Sequence, residues 1–372
     1  MRLCVALALV STLVSTTVLA APKDKKKDDA GDEKKAGTSM DTGGDPAYSE
    51  TSDVGPYAPK AAETKKAGAA SGASVSRKAV FEVPPRDGFV VFGDVLYGFG
   101  RAPVPGPASD GETPDAKVLS LIVGAAYDFS PKFTLGLRVP WSTASVELPS
   151  RVSSQSSMAF GSPELFAEYR LRLGRPTELP LLFGAGAPVA QGDPDPGSLD
   201  DNARRQAVVN LLADAAHGWR EGELYAPKRV PVILGAGIRH HRDALELHAS
   251  TKVVLGINTG GDLVPRDFQG GGRLVVNSLS LRDVTVAGAS YRILEGIGLW
   301  AGLDTWLVYE PIEPIEYESR ATDPSPLQFV VEPRLGARFG KLRPHLGMVL
   351  PIGGRLADSG MTAFRLHVDY AL

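Results

Sequence analysis

Ten ionisable side chains recur near the midpoints of long segments in which polar and apolar residues alternate. They are Asp94, Arg138, Glu168, Lys252, Asp304, Glu332, Arg334, His345, Arg365 and His367. This set is poorly suited to covalent chemistry and well suited to making a field. Charges of both signs held at one level of a water-filled passage form a constriction that orients or filters small polar solutes. Arg138, Lys252, Arg334 and Arg365 would attract anionic groups, with Asp94, Glu168, Asp304 and Glu332 as their complement. Direct pairing of the same charges would seal the interior instead.

Other arrangements with chemical potential fail on spacing. Gly184-Ala185-Gly186 and Gly235-Ala236-Gly237 lie inside alternating segments and open no helix, so no phosphate-binding loop is expected. They read as small residues that relieve crowding or let a strand bend. No Gly-x-Ser-x-Gly elbow occurs. His240 and His241 are adjacent, and adjacent residues of a strand point to opposite faces, which removes them as a metal pair. Lipid-facing hydrolysis would need a Ser–His pair on one outward face, and the outward polar residues Thr251, Thr305 and His240 do not supply it. No enzymatic activity, cofactor or metal is therefore expected. The net charge of −3 points to no polyanionic partner, nucleic acid included.

The elements that must position the charges follow from the alternation itself. Residues i and i+2 of a strand share a face. Phe133, Leu135, Leu137, Val139 and Trp141 fall on one face, with Lys132, Thr134, Gly136 and Arg138 opposite. Leu165, Ala167, Tyr169, Leu171 and Leu173 likewise oppose Glu164, Glu168, Arg170 and Arg172. Twelve such segments are expected, at 89–99, 117–129, 132–141, 163–173, 179–188 and 230–241, then 244–258, 283–293, 297–309, 327–339, 342–350 and 362–372. Links of a few residues alternate with long ones at 100–116, 142–162, 189–229, 259–282, 310–326 and 351–361, which leaves both ends of the strand array on the short-link side.

An even number of strands with one apolar and one polar face, joined by short and long links in turn, suits a sheet with lipid outside and water inside. The expected fold class is all-β: a twelve-stranded antiparallel transmembrane β-barrel over residues 81–372, with short periplasmic turns and long external loops. A soluble sandwich would explain the alternation but not the asymmetry of the links. Aromatic residues add a second signal. Tyr127, Phe129, Phe133, Phe339 and Tyr370 cluster at the short-link ends, and Tyr97, Phe99, Trp141 and Tyr309 at the long-link ends, as rings do at two membrane interfaces.

The amino terminus reads as an export signal: Arg2, an apolar run from Leu3 to Leu19, and small residues around Ala20 where cleavage is expected. The single cysteine, Cys4, lies inside this segment at 1–20, so disulfides and Cys-ligated metals are not expected. Residues 21–80, opening with Lys23-Asp24-Lys25-Lys26-Lys27-Asp28-Asp29, carry almost no large apolar side chain and are expected to be a disordered periplasmic tract. A solvated spacer is the simpler role for that tract, and a tether to a periplasmic or cell-wall partner the other.

One long link has structure of its own. Ser198 is placed to cap a helix with Asp200 and Asp201 in its first turn, Val208, Leu211, Leu212 and Ala215 at helical spacing, and Gly218 as its stop. Such an amphipathic helix is expected on the rim or as a lid rather than inside the barrel.

The last segment carries a resemblance. Phe364, Leu366, Val368, Tyr370 and Leu372 at the end of the chain resemble the insertion signal of bacterial outer-membrane barrels, with Leu372 where that family usually has Phe or Trp. The resemblance implies an outer-membrane location, lipid as the surrounding partner, and recognition by the barrel-assembly machinery. A second stretch, Gly161-Ser162-Pro163-Glu164-Leu165 through Arg170-Leu171 to Gly192-Asp193, is similar to channel barrels linked to uptake of phenols and hydrocarbons. It implies a channel without specifying the substrate. The expected function is a passive, porin-like pore for small solutes; a sealed structural or adhesive barrel whose loops bind a partner is the alternative. Glycine-rich lumen faces favour the first, and direct pairing of the central charges the second.

Overall fold

A computed structural model describes residues 88–102, 114–147, 155–174, 176–193, 200–260, 266–267, 273–318 and 326–372. The expected export signal at 1–20, the polar tract at 21–80 and Ser198 lie outside these residues. Twelve antiparallel strands form a closed wall. The first half comprises β1 (Phe89–Arg101), β2 (Asp115–Ser130), β3 (Phe133–Glu147), β5 (Glu164–Arg172), β6 (Thr177–Gly186) and β7 (Arg229–Arg242). The second comprises β8 (Leu245–Asn258), β11 (Leu279–Leu294), β12 (Leu299–Ile312), β14 (Leu327–Gly336), β15 (Leu342–Gly353) and β16 (Thr362–Ala371). Every wall strand pairs with its neighbour in sequence order, and β16 closes on β1 from Val90–Ala371 to Phe99–Thr362. These are the twelve segments expected from the alternation, within a few residues at each end.

The alternation forms strands because lipid demands it. With no water outside, every backbone group must pair along a closed ladder, and outward side chains are predominantly apolar, with Thr251 and Thr285 donating to Asp283 among them. Leu137, Leu165, Leu234, Leu303, Leu335 and Leu346 stand exposed on the outer surface. Tyr127, Phe129, Phe133, Phe339 and Tyr370 ring the short-turn edge, with Tyr127 and Phe129 edge to face at 4.9 Å. Tyr97 and Phe99 are exposed at the long-loop edge, and Trp141 and Tyr309 are half-buried there. Of the terminal stretch, Phe364, Leu366, Tyr370 and Leu372 face outward and Val368 is half-buried, while Arg365 and His367 face inward. Among the described residues no helix is long and apolar enough to cross a membrane.

Four short strands lie in stretches expected as loops. β4 (Gln155–Phe160) pairs with the outer half of β3, whose inner half pairs with β5. The break falls at Gly161-Ser162-Pro163, where a Cβ on Gly161 would strike the Leu224 carbonyl. β9 (Arg266–Asp267), β10 (Arg273–Val276) and β13 (Ile315–Glu318) make a separate three-stranded sheet from two external loops. Beyond the bilayer no lipid enforces alternation, so Ser142-Thr143-Ala144-Ser145 of β3 continue pairing without the pattern that would announce it.

Candidate functional site

The link between β6 and β7 folds into the barrel. Its helix α1 (Asp201–Ala216) is capped by Asp200, whose carboxylate accepts from the backbone N–H of Asn202 at 2.9 Å and Ala203 at 3.1 Å. The cap expected at Ser198 is thus supplied by Asp200. Gly218, at φ +66°, ends the helix, donating to the Ala215 carbonyl at 2.9 Å. The expected rim position is overturned. Burial in α1 is graded along its axis: Val208 is 40% exposed, whereas Val209, Leu212, Ala213, Ala215 and Ala216 are buried, and so are Asn210 and Asp214. A helix lying on a rim would bury one stripe; this one enters end-on, carboxyl terminus first, and buries its last turns on every side.

Once inside, its apolar residues meet an apolar wall. Leu212, Ala215 and Ala216 belong to one buried apolar cluster with Leu96, Val118 and Ile122 of β1 and β2 and with Val284, Trp306, Val308 and Val330 of the other wall strands. A short helix from the last external loop, α3 (Arg355–Ser359), adds Leu356. The Trp306 indole N–H donates to the Gly218 carbonyl at 3.0 Å, and the Arg220 guanidinium lies 5.2 Å from the Trp306 ring centre. Below α1, His217 Nε2 sits 3.1 Å from both Ser120 Oγ and Tyr225 Oη. Tyr225 ends the short helix α2 (Gly222–Tyr225).

Beneath this apolar layer the loop delivers charge. Arg220-Glu221-Gly222-Glu223 reaches the central belt of the lumen. Arg138 of β3 donates to Glu221 at 2.9 Å and lies 3.4 Å from Glu223, while its other nearest carboxylate is Glu164 of β5 at 2.5 Å. Lys252 of β8 is ion-paired with Glu223 and lies 3.5 Å from Glu221. Arg282 of β11 holds Asp214 at 2.7 Å and Glu310 at 3.0 Å, and donates to the Trp219 carbonyl at 3.2 Å. Gly222 abuts that guanidinium so closely that a Cβ would overlap it. Burial alone would favour a neutral Glu221, but Lys252, Arg138 and Arg220 outweigh it and hold the carboxyl well below its ordinary range. Burial pushes Asp214 up against the opposing pull of Arg282, and pushes the His217 imidazole down to about 4.

All ten side chains singled out from the sequence point inward and are buried. The structure joins several of them directly. Arg365 is bidentate on Asp94 and lies 3.5 Å from Glu332, which also lies 4.0 Å from Arg220. Arg334 donates to Asp304 at 2.5 Å, and His248 lies 3.3 Å from the same oxygen. His367 is 3.9 Å from Asp94 and stacks on His345 at 4.7 Å. Arg138 and Lys252 meet through the loop glutamates. Glu168 stands apart from that level: it lies nearer the short turns, on Arg170 at 2.8 Å and Arg239 at 3.7 Å, and Glu164 is the wall carboxylate facing Arg138. His240 and His241 diverge, to Thr177 at 3.0 Å and Glu246 at 3.3 Å.

Sequence reasoning missed Glu164, Asp214, His217, Arg220, Glu221, Glu223 and Arg282. The available signal was the charged run 220–223 set between Trp219 and Leu224-Tyr225. The lumen glycines also have a different use from the open passage they suggested. Gly288 leaves room for Asp304 and His248, Gly347 for Glu332, and Gly124 for the ring of Phe92. They relieve crowding by making space for neighbouring side chains.

No known family profile matches the chain, and no curated protein sequence matches it. Among solved structures, an outer membrane channel from Pseudomonas putida F1 is similar at 15% identity, over 80% of this chain and 98% of that one, with a TM-score of 0.49. The translocator domain of the autotransporter NalP from Neisseria meningitidis is similar at 13% identity, over 77% and 89%, with a TM-score of 0.44. The NanC porin is similar at 6% identity, over 75% and 100%, with a TM-score of 0.42. Likeness of fold does not by itself assign a function.

Proposed function

We propose that this chain is an outer-membrane channel for small solutes whose resting state is closed by the loop between β6 and β7. The observation that carries this is that the loop fills the part of the lumen lined by Leu96, Val118 and Trp306, whereas wall side chains including Phe92, Phe166, Leu182 and Ile233 form a second buried cluster with no loop residue in it. Eight strands leave an interior that side chains can fill, and sixteen or more leave an open channel. Twelve lies between, and here the gap is taken up by α1 and the segment that follows it. The apolar outer surface, the two aromatic edges and the alternation of short and long links support the membrane setting. The end of the chain supports delivery through the barrel-assembly machinery, with Phe364, Leu366, Val368, Tyr370 and Leu372 as its signal.

A sealed barrel is the second reading, favoured by the direct pairing of Asp94 with Arg365 and of Asp304 with Arg334. Those pairs lie within the wall and remain when the loop leaves. Single-channel recording of the refolded protein in a planar bilayer separates the readings. The intact chain is expected to stay closed for long intervals, and the chain lacking residues 194–226, joined by a short Gly-Ser link, to conduct continuously. A deletion variant that inserts, keeps its heat-stable barrel and carries no current would establish the sealed barrel.

A further inference from the structure

The lumen cations differ in what matches them, and Arg282 is shared between Asp214 of the loop and Glu310 of the wall. Arg334, Arg365 and Arg170 are matched by carboxylates of the wall itself: Asp304, Asp94 and Glu332, and Glu168 and Asp128. Arg138 and Lys252 are different. Among the described residues, both ion pairs of Lys252 are made with loop carboxylates, and two of the three pairs of Arg138 are too. Arg138 and Lys252 face one wall carboxylate, Glu164, and the loop adds two more, Glu221 and Glu223, together with Arg220, which lies 3.1 Å from Glu221.

The geometry of the match is that of a bound dianion. Arg138 and Lys252 stand on strands separated around the wall by β5, β6 and β7, and both reach the same two carboxyl groups. Arg138 reaches Glu221 and Glu223 through different terminal nitrogens, Nη1 and Nη2, and a fork of that kind recognises planar carboxylates. When the loop moves out, Lys252 loses both of its counter-charges and Arg138 keeps only Glu164. That state is costly unless water or another anion replaces them.

We propose that Arg138 and Lys252 form a seat for small organic dicarboxylates, which Glu221 and Glu223 occupy as built-in stand-ins, so that a dicarboxylate solute opens the channel by taking their place. This rests on the reading of the barrel as a channel closed by its loop, and it adds the class of solute and the means of opening.

The test is single-channel recording of the full chain in a planar bilayer with succinate as the probe. Succinate is compared at equal ionic strength with chloride and with a neutral diol of the same length. Millimolar succinate is expected to raise the open probability about tenfold, as chloride and the diol do not. The double variant Glu221→Gln, Glu223→Gln is expected to be open without succinate and insensitive to it. In the loop-deleted barrel, succinate is expected to reduce the chloride current by occupying the seat, and Lys252→Met to abolish that block. This second readout does not depend on the double variant folding. If the loop-deleted barrel conducts but succinate neither opens the intact channel nor blocks the deleted one, the dicarboxylate seat is wrong and the channel stands. If the loop-deleted barrel inserts, keeps its heat-stable barrel and carries no current, the channel reading itself falls.

Discussion

The outer and central levels of the lumen are closed by the same loop on opposite physical terms. In the outer half, Leu212, Ala215 and Ala216 are buried in one apolar cluster with Leu96, Val118 and Val308, as in any protein core. In the central belt, Glu221 and Glu223 are held by Arg138 and Lys252, where each pairing offsets a desolvation cost. The first grip is non-directional and scales with buried area. The second depends on position and charge, and under the proposed mechanism another anion of the right shape replaces it. The contrast shows how one loop can be anchored and still be exchangeable.

Substitutions can separate the two grips. The largest effect is expected from Gly222→Ala, since a Cβ there collides with the Arg282 guanidinium that also holds Asp214. Unseating the charged segment should cost about 3–5 kcal/mol, the scale of breaking a buried ion pair. It should appear as a persistent current in bilayer recordings; a variant that stays closed would mean the central grip is dispensable. Next comes Leu212→Ala, which deletes a fully buried side chain from the apolar layer and should weaken closure by about 2–5 kcal/mol. Its current should flicker and still respond to the central charges.

Proton concentration should act on the junction between the levels. His217 is seated beside Ser120 and Tyr225, in the field of Asp94, Arg365, Glu221 and Arg220. Burial lowers its imidazole from 6.5 to about 4, so the seated loop stays neutral where the displaced loop takes up a proton. Closure is then strongest above pH 6.5 and is lost progressively as pH falls toward 4, by up to about 3 kcal/mol. Open probability measured across that range should rise on acidification, and His217→Asn should flatten the profile. The smallest effect is expected from Asp200→Ala, about 1 kcal/mol, because the cap lies at the exposed end of α1. Hydrogen exchange in the first turn of α1 should report it, with the current unchanged.

The wall was legible in the sequence because lipid imposes a rule on every second residue. Strand ends beyond the bilayer escape that rule, which is why the outer reach of β3 and the whole of β4 were not foreseen. The inward direction of Arg138 and Lys252 was legible for the same reason. Their partners were not, because Glu221 and Glu223 lie on a loop with no periodic constraint. The helix was foreseen and its placement was not. A stripe at helical spacing puts Val208 and Leu211 inside and ignores Asn210 and Asp214. End-on insertion leaves Val208 in water and buries Asn210 and Asp214 beside the apolar residues.

The loop leaves the wall at Gly186 and returns at Arg229, on two strands that are hydrogen-bonded to each other through Ala185 and Val232. A closing element fixed at both ends to adjacent strands cannot diffuse away. Its glutamates face their cations at an effective concentration on the order of millimolar, whatever the medium contains. A solute competing for the same cations therefore meets a threshold of about that size before the passage opens. In the proposed gate, lengthening the loop would lower the threshold and shortening it would raise the threshold.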